Sequence, residues 1–183
     1  MNTSTISNQI YTTAPDNTDR LPKEMAVYSL LDKLSIPYER LDHEVADTMA
    51  ACAEIDKRLG ISMCKNLFLR NQQKTTFYLL LMPGEKKFKT KDVSKQLGIS
   101  RLSFAEAEYM EQYLNITPGS VSVLGLMNDT GHDVQLIIDK ELLENEYIGC
   151  HPCINTSSLK MKTEDILNVF LKHTGHTWVT VEL

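Results

Sequence analysis

The sequence predicts a single α/β domain in which helices pack on a mixed sheet. Two apolar segments, Cys64–Arg70 and Thr75–Met82, are joined by a polar turn and predict a β-hairpin. Strand and helix patterns otherwise alternate irregularly, which disfavours a parallel doubly wound sheet. The glycine fingerprints of dinucleotide and P-loop sites are absent from the sequence. A chain of 183 residues is long enough to bury the core of one such domain.

The N-terminal segment differs in composition from the rest of the chain. Residues 1–20 are polar, with few apolar positions, and predict a flexible extension. The expected domain therefore covers residues 21–183. Its first helix begins near Pro22, because proline is tolerated where a helix N–H has no partner. Asp47 is placed to cap a second helix that ends at Gly60.

The remaining elements follow from turn residues, caps and short apolar runs. Pro83–Gly84 ends the hairpin, and the lysine-rich helix after it stops at Gly98. Ser103 and Glu106 have the spacing of a capping box for the next helix, and Thr163 is placed to cap the last one. The other predicted strands cover Tyr38–Leu41, Val121–Leu126, Val134–Asp139, Tyr147–Cys150, Ser157–Met161 and Thr177–Val181.

The charge balance limits the kind of nucleic-acid contact that this chain can make. A formal net charge of −5 disfavours extended binding to phosphates, which is typical of basic proteins, and no DNA partner is expected. The local exception, here called the lysine cluster, consists of Lys86, Lys87, Lys89, Lys91 and Lys95. Two interpretations of the lysine cluster stay open, a solvated helix face and a contact with RNA phosphates.

Nothing in the sequence predicts a membrane partner. No stretch approaches the roughly 20 consecutive apolar residues that a membrane helix needs. Residues 1–20 lack the basic start and apolar block of a secretory signal, so the expected location is the cytoplasm. Four cysteines in such a chain are expected to be reduced.

Cys150 and Cys153 flank His151 and Pro152 at the spacing of a redox dithiol. A redox function needs a thiol of low pKa, usually at a helix N-terminus. Here the cysteines follow an apolar strand and precede Ile154–Asn155–Thr156, where no helix begins. No second pair of cysteines or histidines completes a zinc-binding set. The pattern therefore disfavours redox and metal functions.

Lys65 is the most informative candidate residue, because it opens an apolar strand and its charge needs a partner. An anionic ligand and an internal salt bridge both remain open as that partner. Asn66 points to the opposite face of a regular strand, so both residues line one pocket only where the backbone bends. His151 has the same two interpretations, a pocket residue or a histidine satisfied by backbone.

A catalytic triad is also considered, formed by Ser120, His151 and Asp129. The sequence around Ser120 lacks the nucleophile-elbow motif that would support it. We therefore disfavour a serine nucleophile.

Several short segments occur in a fixed order between Lys23 and Leu183. They are Leu41–Asp42–His43 with Thr48, Lys65–Leu69, Met82–Lys87, Pro118–Ser122, Leu126–Asp129, Gly149–Pro152, Asn155–Thr156 and Thr163–Asp165. In order and spacing, they resemble the YbaK/PrdX family of prolyl-tRNA editing domains. The closest resemblance is to the free-standing PrdX type, which is similar to a deacylase of alanyl-tRNA(Pro).

The resemblance implies a fold, a reaction and partners. The fold would be mixed α/β around a strongly curved, barrel-like sheet. The reaction would be hydrolysis of the ester between alanine and the terminal adenosine, with no metal or other cofactor. The partners would be the acceptor end of tRNA(Pro) and, as a candidate, prolyl-tRNA synthetase. The alternatives are removal of another small amino acid, cysteine or serine, and a non-catalytic module that binds tRNA or the synthetase.

The resemblance also implies catalytic residues. Lys65 matches the lysine that the family requires, and its cation would hold the terminal phosphate or the developing negative charge. Gly119 and Ser120 match a turn that approaches the ester, and backbone N–H groups there would stabilise an oxyanion. No protein nucleophile is implied, because a ribose hydroxyl of the substrate is thought to help activate water.

A second set of residues would bind the substrate: Asn66, Ser120, His151, Lys86, Lys87 and His43. Asn66 would form a hydrogen bond with the substrate, and His151 would shape a pocket for a small side chain. Cys150 and Cys153 depart from the family pattern, and we expect them to pack as small apolar residues.

Overall fold

Two sheets form the framework of the described part of the chain, residues 5–46 and 49–183 of a computed structural model. The strands are β1 (Ile6–Tyr11), β2 (Glu39–His43), β3 (Lys65–Arg70), β4 (Phe77–Met82), β5 (Ser103–Phe104), β6 (Val134–Asp139), β7 (Tyr147–Cys150), β8 (Ser157–Lys162) and β9 (Trp178–Val181). The first sheet is antiparallel, in the order β1-β2-β8-β7. The second has the order β5-β3-β4-β6-β9 and is mixed, because β6 runs parallel to both β4 and β9. The predicted mixed α/β class is therefore confirmed.

The helices pack on both sheets and connect the strands. They are α1 (Pro22–Lys33), α2 (Met49–Leu59), α3 (Thr90–Leu97), α4 (Ala107–Leu114), α5 (Lys140–Glu144), α6 (Thr163–Asp165) and α7 (Leu171–Thr174). A π-helical segment, Ile166–Phe170, joins α6 to α7. Helix α3 ends at Gly98, as predicted, because glycine adopts the left-handed φ of +66° at low cost. Within the described residues, no helix has the length and hydrophobicity needed to cross a bilayer.

Strand β4 separates two hydrophobic cores, and all six of its residues are buried. Phe77, Leu79 and Leu81 face the larger core, together with residues of α1, α4 and the C-terminal helices. Tyr78, Leu80 and Met82 face the smaller core under α3. This double burial explains why β4 appears in the sequence as a continuous apolar run.

The prediction of a strongly curved, barrel-like sheet is wrong. In the described ranges neither sheet closes on itself, and each has two edge strands. Among the described residues, the sheets meet at a parallel bridge between Met63 and Gly149. Beside this bridge, the N–H of Cys64 donates to the Gly149 carbonyl at 3.0 Å. Because pairing does not extend beyond this junction, the two sheets stay separate.

The predicted strand Val121–Leu126 is instead a 3₁₀ helix, Val123–Asn128. The side chain of Ser122 accepts a hydrogen bond from the N–H of Leu124 at 3.2 Å and caps its first turn. Gly125 and its neighbours are all buried. A continuous apolar run cannot distinguish a buried strand from a buried helix by periodicity alone.

Two predicted caps have other partners. Ser103 lies in β5, and the carboxylate of Glu106 binds Arg70 and Lys74, each at 2.8 Å, instead of closing a capping box. Thr163 is the first residue of α6, and its hydroxyl donates to the carbonyl of Asn145. The predicted cap at Asp47 and the motif residue Thr48 lie outside the described residues.

The N-terminal segment differs from the predicted flexible extension. Strand β1 forms the edge of the first sheet, with Tyr11 opposite Arg40, Ile10 opposite Leu41 and Ile6 opposite His43. An edge strand is held largely by main-chain hydrogen bonds and needs few buried side chains, so its composition resembles that of an extension.

Gly84→Ala should destabilise the fold at the junction between the sheets. An ideal Cβ at Gly84 would lie 2.4 Å from the Met63 carbonyl oxygen, so the backbone has to shift. We expect the free energy of unfolding, measured in urea, to fall by about 1–3 kcal/mol. Gly98→Asn is the control, because no atom lies within 4 Å of an ideal Cβ there and asparagine tolerates a left-handed φ. Equal losses in the two variants would contradict this prediction.

Candidate active site

A cleft of about 540 Å³ opens beside the end of β2, where the N-terminal segment faces two loops. The lining residues are Thr5, Ser7, Asp19, Arg20, Leu21, Lys23, Glu24, Asp42, His43, Glu44, Thr117, Ser120, Ile154, Asn155 and Thr156. This volume falls within the range of small-molecule sites, about 300–1,000 Å³. The cleft can therefore admit the terminal part of a large substrate.

The predicted turn Pro118–Gly119–Ser120 lies at this cleft. Ser120 lines it, and Gly119 has a φ of +87°, which favours glycine. A Cβ at Gly119 would lie 3.5 Å from Nδ2 of Asn155, another lining residue. The N–H of Ser120 donates to the Thr117 carbonyl at 3.1 Å. Of the two N–H groups expected to stabilise an oxyanion, the one on Ser120 is therefore already committed to the turn.

Two neighbouring residues of β8 hold the imidazoles of His43 and His151. Nδ1 of His151 donates to the Ser157 carbonyl at 2.8 Å, and Nε2 of His43 accepts from the Ser158 hydroxyl at 2.9 Å. Nδ1 of His43 donates to the Glu44 carbonyl at 2.7 Å. The ring centres are 6.3 Å apart, with edge-to-face orientation. These partners fix the tautomers, because a carbonyl oxygen only accepts.

Both histidines are neutral at neutral pH. Burial lowers the pKa of His43, against the opposing effects of the Glu44 carbonyl and the Asp42 charge. Burial also lowers the pKa of His151, although the bond to the Ser157 carbonyl opposes it. With Nδ1 carrying the proton, Nε2 of His151 is an acceptor that no described residue occupies. Donation from Nε2 of His151 to a ligand carbonyl or phosphate would require a protonated ring.

The carboxylate of Asp42 connects the cleft floor to β8. It accepts from the Ser157 hydroxyl at 2.6 Å and from Arg20 at 2.8 Å, and Arg40 also pairs with it. Burial opposes the charge, but these hydrogen bonds and the Arg40 charge prevail and lower the pKa of Asp42. Because the carbonyl of Ser157 also orients His151, this network holds the histidine in place.

Lys65 and Asn66 lie at the start of β3, near the junction of the sheets. Nζ of Lys65 donates to the Lys86 carbonyl at 2.6 Å, and no carboxylate of the described residues forms an ion pair with it. The internal salt bridge considered from the sequence is thus not found there. Oδ1 of Asn66 accepts from the Val123 N–H at 3.0 Å, so Asn66 anchors the 3₁₀ helix that follows the glycine turn.

Lys86 and Lys87 differ in their surroundings. Nζ of Lys86 pairs with the buried carboxylate of Asp139 at 3.0 Å and with Glu141 at 2.8 Å. The charge of Lys86 is therefore compensated by carboxylates of the protein itself. The side chain of Lys87, by contrast, is exposed. Like Lys65, these two lysines lie outside the cleft lining.

The triad that was considered and disfavoured from the sequence does not assemble in the structure. Both oxygens of Asp129 accept from backbone N–H groups, of Asp133 at 3.0 Å and Val134 at 2.9 Å. Its Oδ2 also lies 3.1 Å from Nε2 of His176. Asp129 therefore pairs with another histidine, while His151 is oriented by Ser157.

The paired cysteines have the surroundings of packing residues. Cys150 and Cys153 are each 1% exposed. Burial raises the pKa of Cys150, and it raises the pKa of Cys153 to about 12. A redox dithiol requires the opposite shift. In the part of the chain that the structure describes, no group of histidine, cysteine and acidic residues could hold a metal ion.

Sequence reasoning missed the N-terminal wall of the cleft. Thr5, Ser7, Arg20 and Lys23 all line it, yet they precede the motifs and carry no local signal. Pairing of β1 with β2 brings Ser7 there, and the ion pair with Asp42 holds Arg20. Arg20 pairs with Glu24 and Asp42, whereas Lys23 forms no ion pair within the described residues.

Comparison with known proteins identifies the family to which this chain belongs. Residues 43–169 match the family model of the aminoacyl-tRNA editing domain, which is more than half of the chain. The chain belongs to this family. The resemblance found in the sequence and the expected enzyme class, an aminoacyl-tRNA hydrolase, are thereby confirmed.

Two relatives and one solved structure are similar to this chain over most of its length. Prolyl-tRNA editing protein ProX of Acetoanaerobium sticklandii is 31% identical over 160 residues, covering 87% of this chain and 97% of that protein. Prolyl-tRNA synthetase associated domain-containing protein 1 of Mus musculus is 31% identical over 150 residues, covering 80% and 88%. A solved structure described as a candidate trans-editing enzyme for prolyl tRNA synthetase has a TM-score of 0.65 at 14% identity, covering 90% and 99%. At 14% identity, the similarity to this solved structure shows a shared fold and carries no argument about function.

The buried neutral histidines should make stability depend on pH. Their pKa values are lowered in the folded protein, so the unfolded chain binds more protons once the pH falls below about 6.5. Between pH 7.5 and 5.5, we expect the free energy of unfolding to fall by roughly 1–2 kcal/mol. Urea titrations of the wild type and of His151→Asn measure this, and the variant should show the shallower decline. Parallel curves would exclude His151 as a source.

Proposed function

We propose that this chain hydrolyses the ester of mischarged tRNA(Pro), with alanyl-tRNA(Pro) as its principal substrate. The observation that carries the proposal is the editing-domain match over residues 43–169, which includes the glycine turn, His43 of the cleft lining and His151. The name of the Acetoanaerobium sticklandii relative supports tRNA(Pro) as the tRNA. Alanine comes from the sequence resemblance to the PrdX type.

A second site for a small amino acid has a physical rationale. A synthetase discriminates poorly against a smaller side chain, because each missing methylene costs only about 1–3 kcal/mol of binding. An editing site can select in the opposite direction, admitting alanine and excluding proline on size. Close backbone and neutral groups suit such a site better than reactive side chains. Gly119 and the neutral His151 are groups of this kind.

Each site residue has a proposed role. Lys65, whose cation has no carboxylate partner among the described residues, holds the terminal phosphate or the charge that develops on the ester. The Gly119 N–H stabilises the oxyanion, and Asn66 fixes the position of the segment after the turn. Nε2 of His151 accepts a hydrogen bond from a hydroxyl or ammonium group of the aminoacyl-adenosine end.

The hydrogen bonds of His43 argue against a serine nucleophile in the cleft. Both ring nitrogens of His43 have partners, the Glu44 carbonyl and the Ser158 hydroxyl. His43 therefore cannot serve as the base for Ser120 without breaking one of these bonds. Water activated with help from the substrate's ribose is the proposed nucleophile, and no cofactor is required.

Purified protein should release alanine from alanyl-tRNA(Pro), and Lys65→Ala should slow the release about 100-fold or more, the usual loss for one electrostatic contact in a transition state. Lys33→Ala is the matched control, because Lys33 is exposed at the end of α1. Release is measured with labelled amino acid. A panel of alanyl-, seryl- and cysteinyl-tRNA(Pro) assigns the preferred substrate. Binding without release from any of them would replace the hydrolase proposal with a tRNA-binding module.

We propose that the exposed members of the lysine cluster bind phosphates at the acceptor end of the tRNA. Lys87→Glu combined with Lys91→Glu should weaken tRNA binding and lower the slope of log K against log salt by about 2. Lys86 is left unchanged, since reversing its charge would oppose Asp139 and disturb the fold. Binding is measured between 50 and 200 mM salt. An unchanged slope would assign the lysine cluster to the solvated surface.

We also propose a partner protein and a cellular location. The name of the mouse relative supports prolyl-tRNA synthetase as a second partner. The cytoplasm is the proposed location, because charged tRNA is available there.

A further inference from the structure

Strand β1 contains a β-bulge beside the cleft. Ile6 pairs with His43 and Ile10 with Leu41, so residues 7–9 of β1 lie opposite Asp42 alone. Such a bulge interrupts the hydrogen-bond ladder and redirects the side chains of the bulged strand. Here it lies next to His43, and Ser7 within it lines the cleft.

Arg58 of α2 binds two backbone carbonyl groups at the bulge. Its Nη1 lies 3.2 Å from the Ile6 carbonyl oxygen and 2.6 Å from that of Ser7. The same nitrogen lies 3.1 Å from Oδ1 of Asn8. The opposite end of the guanidinium, Nε, donates to Glu54 at 2.8 Å on the same helix. Arg58 thus connects α2 to the bulge without lining the cleft.

The start of β1 is also tied directly to the cleft. The N–H of Thr5 donates to the Glu44 carboxylate at 3.0 Å, and the N–H of Glu44 donates to the Thr5 carbonyl at 2.9 Å. Ile6 packs against the small cluster of Leu41, Ile55 and Leu59. Residues 8–10 are exposed. Polar contacts therefore hold this strand more than side-chain burial does.

We propose that β1 is a wall of the substrate site and that Arg58 is its positioning residue. This inference rests on the proposed function, and β1 lies before the matched residues 43–169. With Arg58 in place, Thr5 and Ser7 stand beside His43 and enclose the aminoacyl-adenosine end. Without it, the bulged carbonyls lose their charged donor and the wall loosens. Substrate binding weakens, while the groups at Lys65 and Gly119 keep their chemistry.

Arg58→Ala and Lys57→Ala form a matched pair for the test. Both remove one positive charge from α2, but Lys57 is exposed and forms no hydrogen bond or ion pair with the described residues of β1. In Arg58→Ala we expect KM for mischarged tRNA to rise about fivefold with kcat within about twofold, because uniform binding is lost. Backbone amides of β1 should exchange with deuterium faster in this variant. Lys57→Ala should match the wild type in both measurements.

Removal of residues 1–11 provides a second variant that does not depend on Arg58. It should raise KM at least as much as Arg58→Ala does. Faster exchange in β1 with an unchanged KM would overturn the inference that the strand is a wall of the site. Unchanged exchange in Arg58→Ala would overturn the role of Arg58.

The proposed function and this inference can fail separately. If the wild type releases no amino acid from any mischarged tRNA, the proposed function fails. A non-hydrolysable alanylamino-adenosine then tests the wall by itself, through its Kd for the wild type, Arg58→Ala and the truncated chain. A Kd that is equal in all three would overturn the inference, and weaker binding in both variants would support it.

Discussion

The geometry of the cleft depends on the carboxylate of Asp42. It lies where the N-terminal segment, β2 and β8 converge, and Arg20, Arg40 and Ser157 all bind it. Two cations around one partly buried carboxylate compensate for much of the cost of removing charge from water. Arg40 extends the same network toward β1, because its guanidinium stacks 4.4 Å from the ring centre of Tyr11. One acidic side chain therefore ties together three segments that are distant in the sequence.

The proposed site combines neutral acceptors with a cation that lies outside the cleft lining. His43 and His151 are uncharged because they are buried and because β8 uses carbonyl and hydroxyl groups to hold them. Lys65 contributes positive charge from another sheet, next to the junction at Gly149. An ester that acquires negative charge during hydrolysis is well matched to such a division between a shape-selective side and an electrostatic side.

The sequence predicted the strands and helices that have a local marker, either a run of apolar residues or a capping residue. Strand β4 was found because it is a continuous buried run, β6 because all its residues except Gln135 are buried, and α3 because its capping glycine marks the end. The 3₁₀ helix after Ser122 was missed, since its burial is uniform and has no period. Lys65, Asn66, Gly119 and His151 were selected through the order of motifs. The partners of Lys65 and Asn66, the Lys86 carbonyl and the Val123 N–H, lie 21 and 57 residues further along the chain and could not be read from neighbouring residues.

The N-terminal wall illustrates a different limit. A polar edge strand is stabilised by main-chain pairing, by Arg58 and by Glu44, and none of these contacts leaves a periodic pattern in residues 5–11. The closure of the sheet was also predicted wrongly, because it depends on how strands pair across the junction. The resemblance of short motifs carries no information about that pairing.

Gly149 gives the junction between the sheets a steric constraint. An ideal Cβ at this position would lie 2.6 Å from both Ile61 Cδ1 and Met63 Sδ. A larger residue would displace these two side-chain ends, and its Cβ would also lie 3.2 Å from the Met63 Cα, where the backbone leaves little room. The close approach of the segments that carry His151 and Lys65 therefore rests in part on a residue that has no functional group.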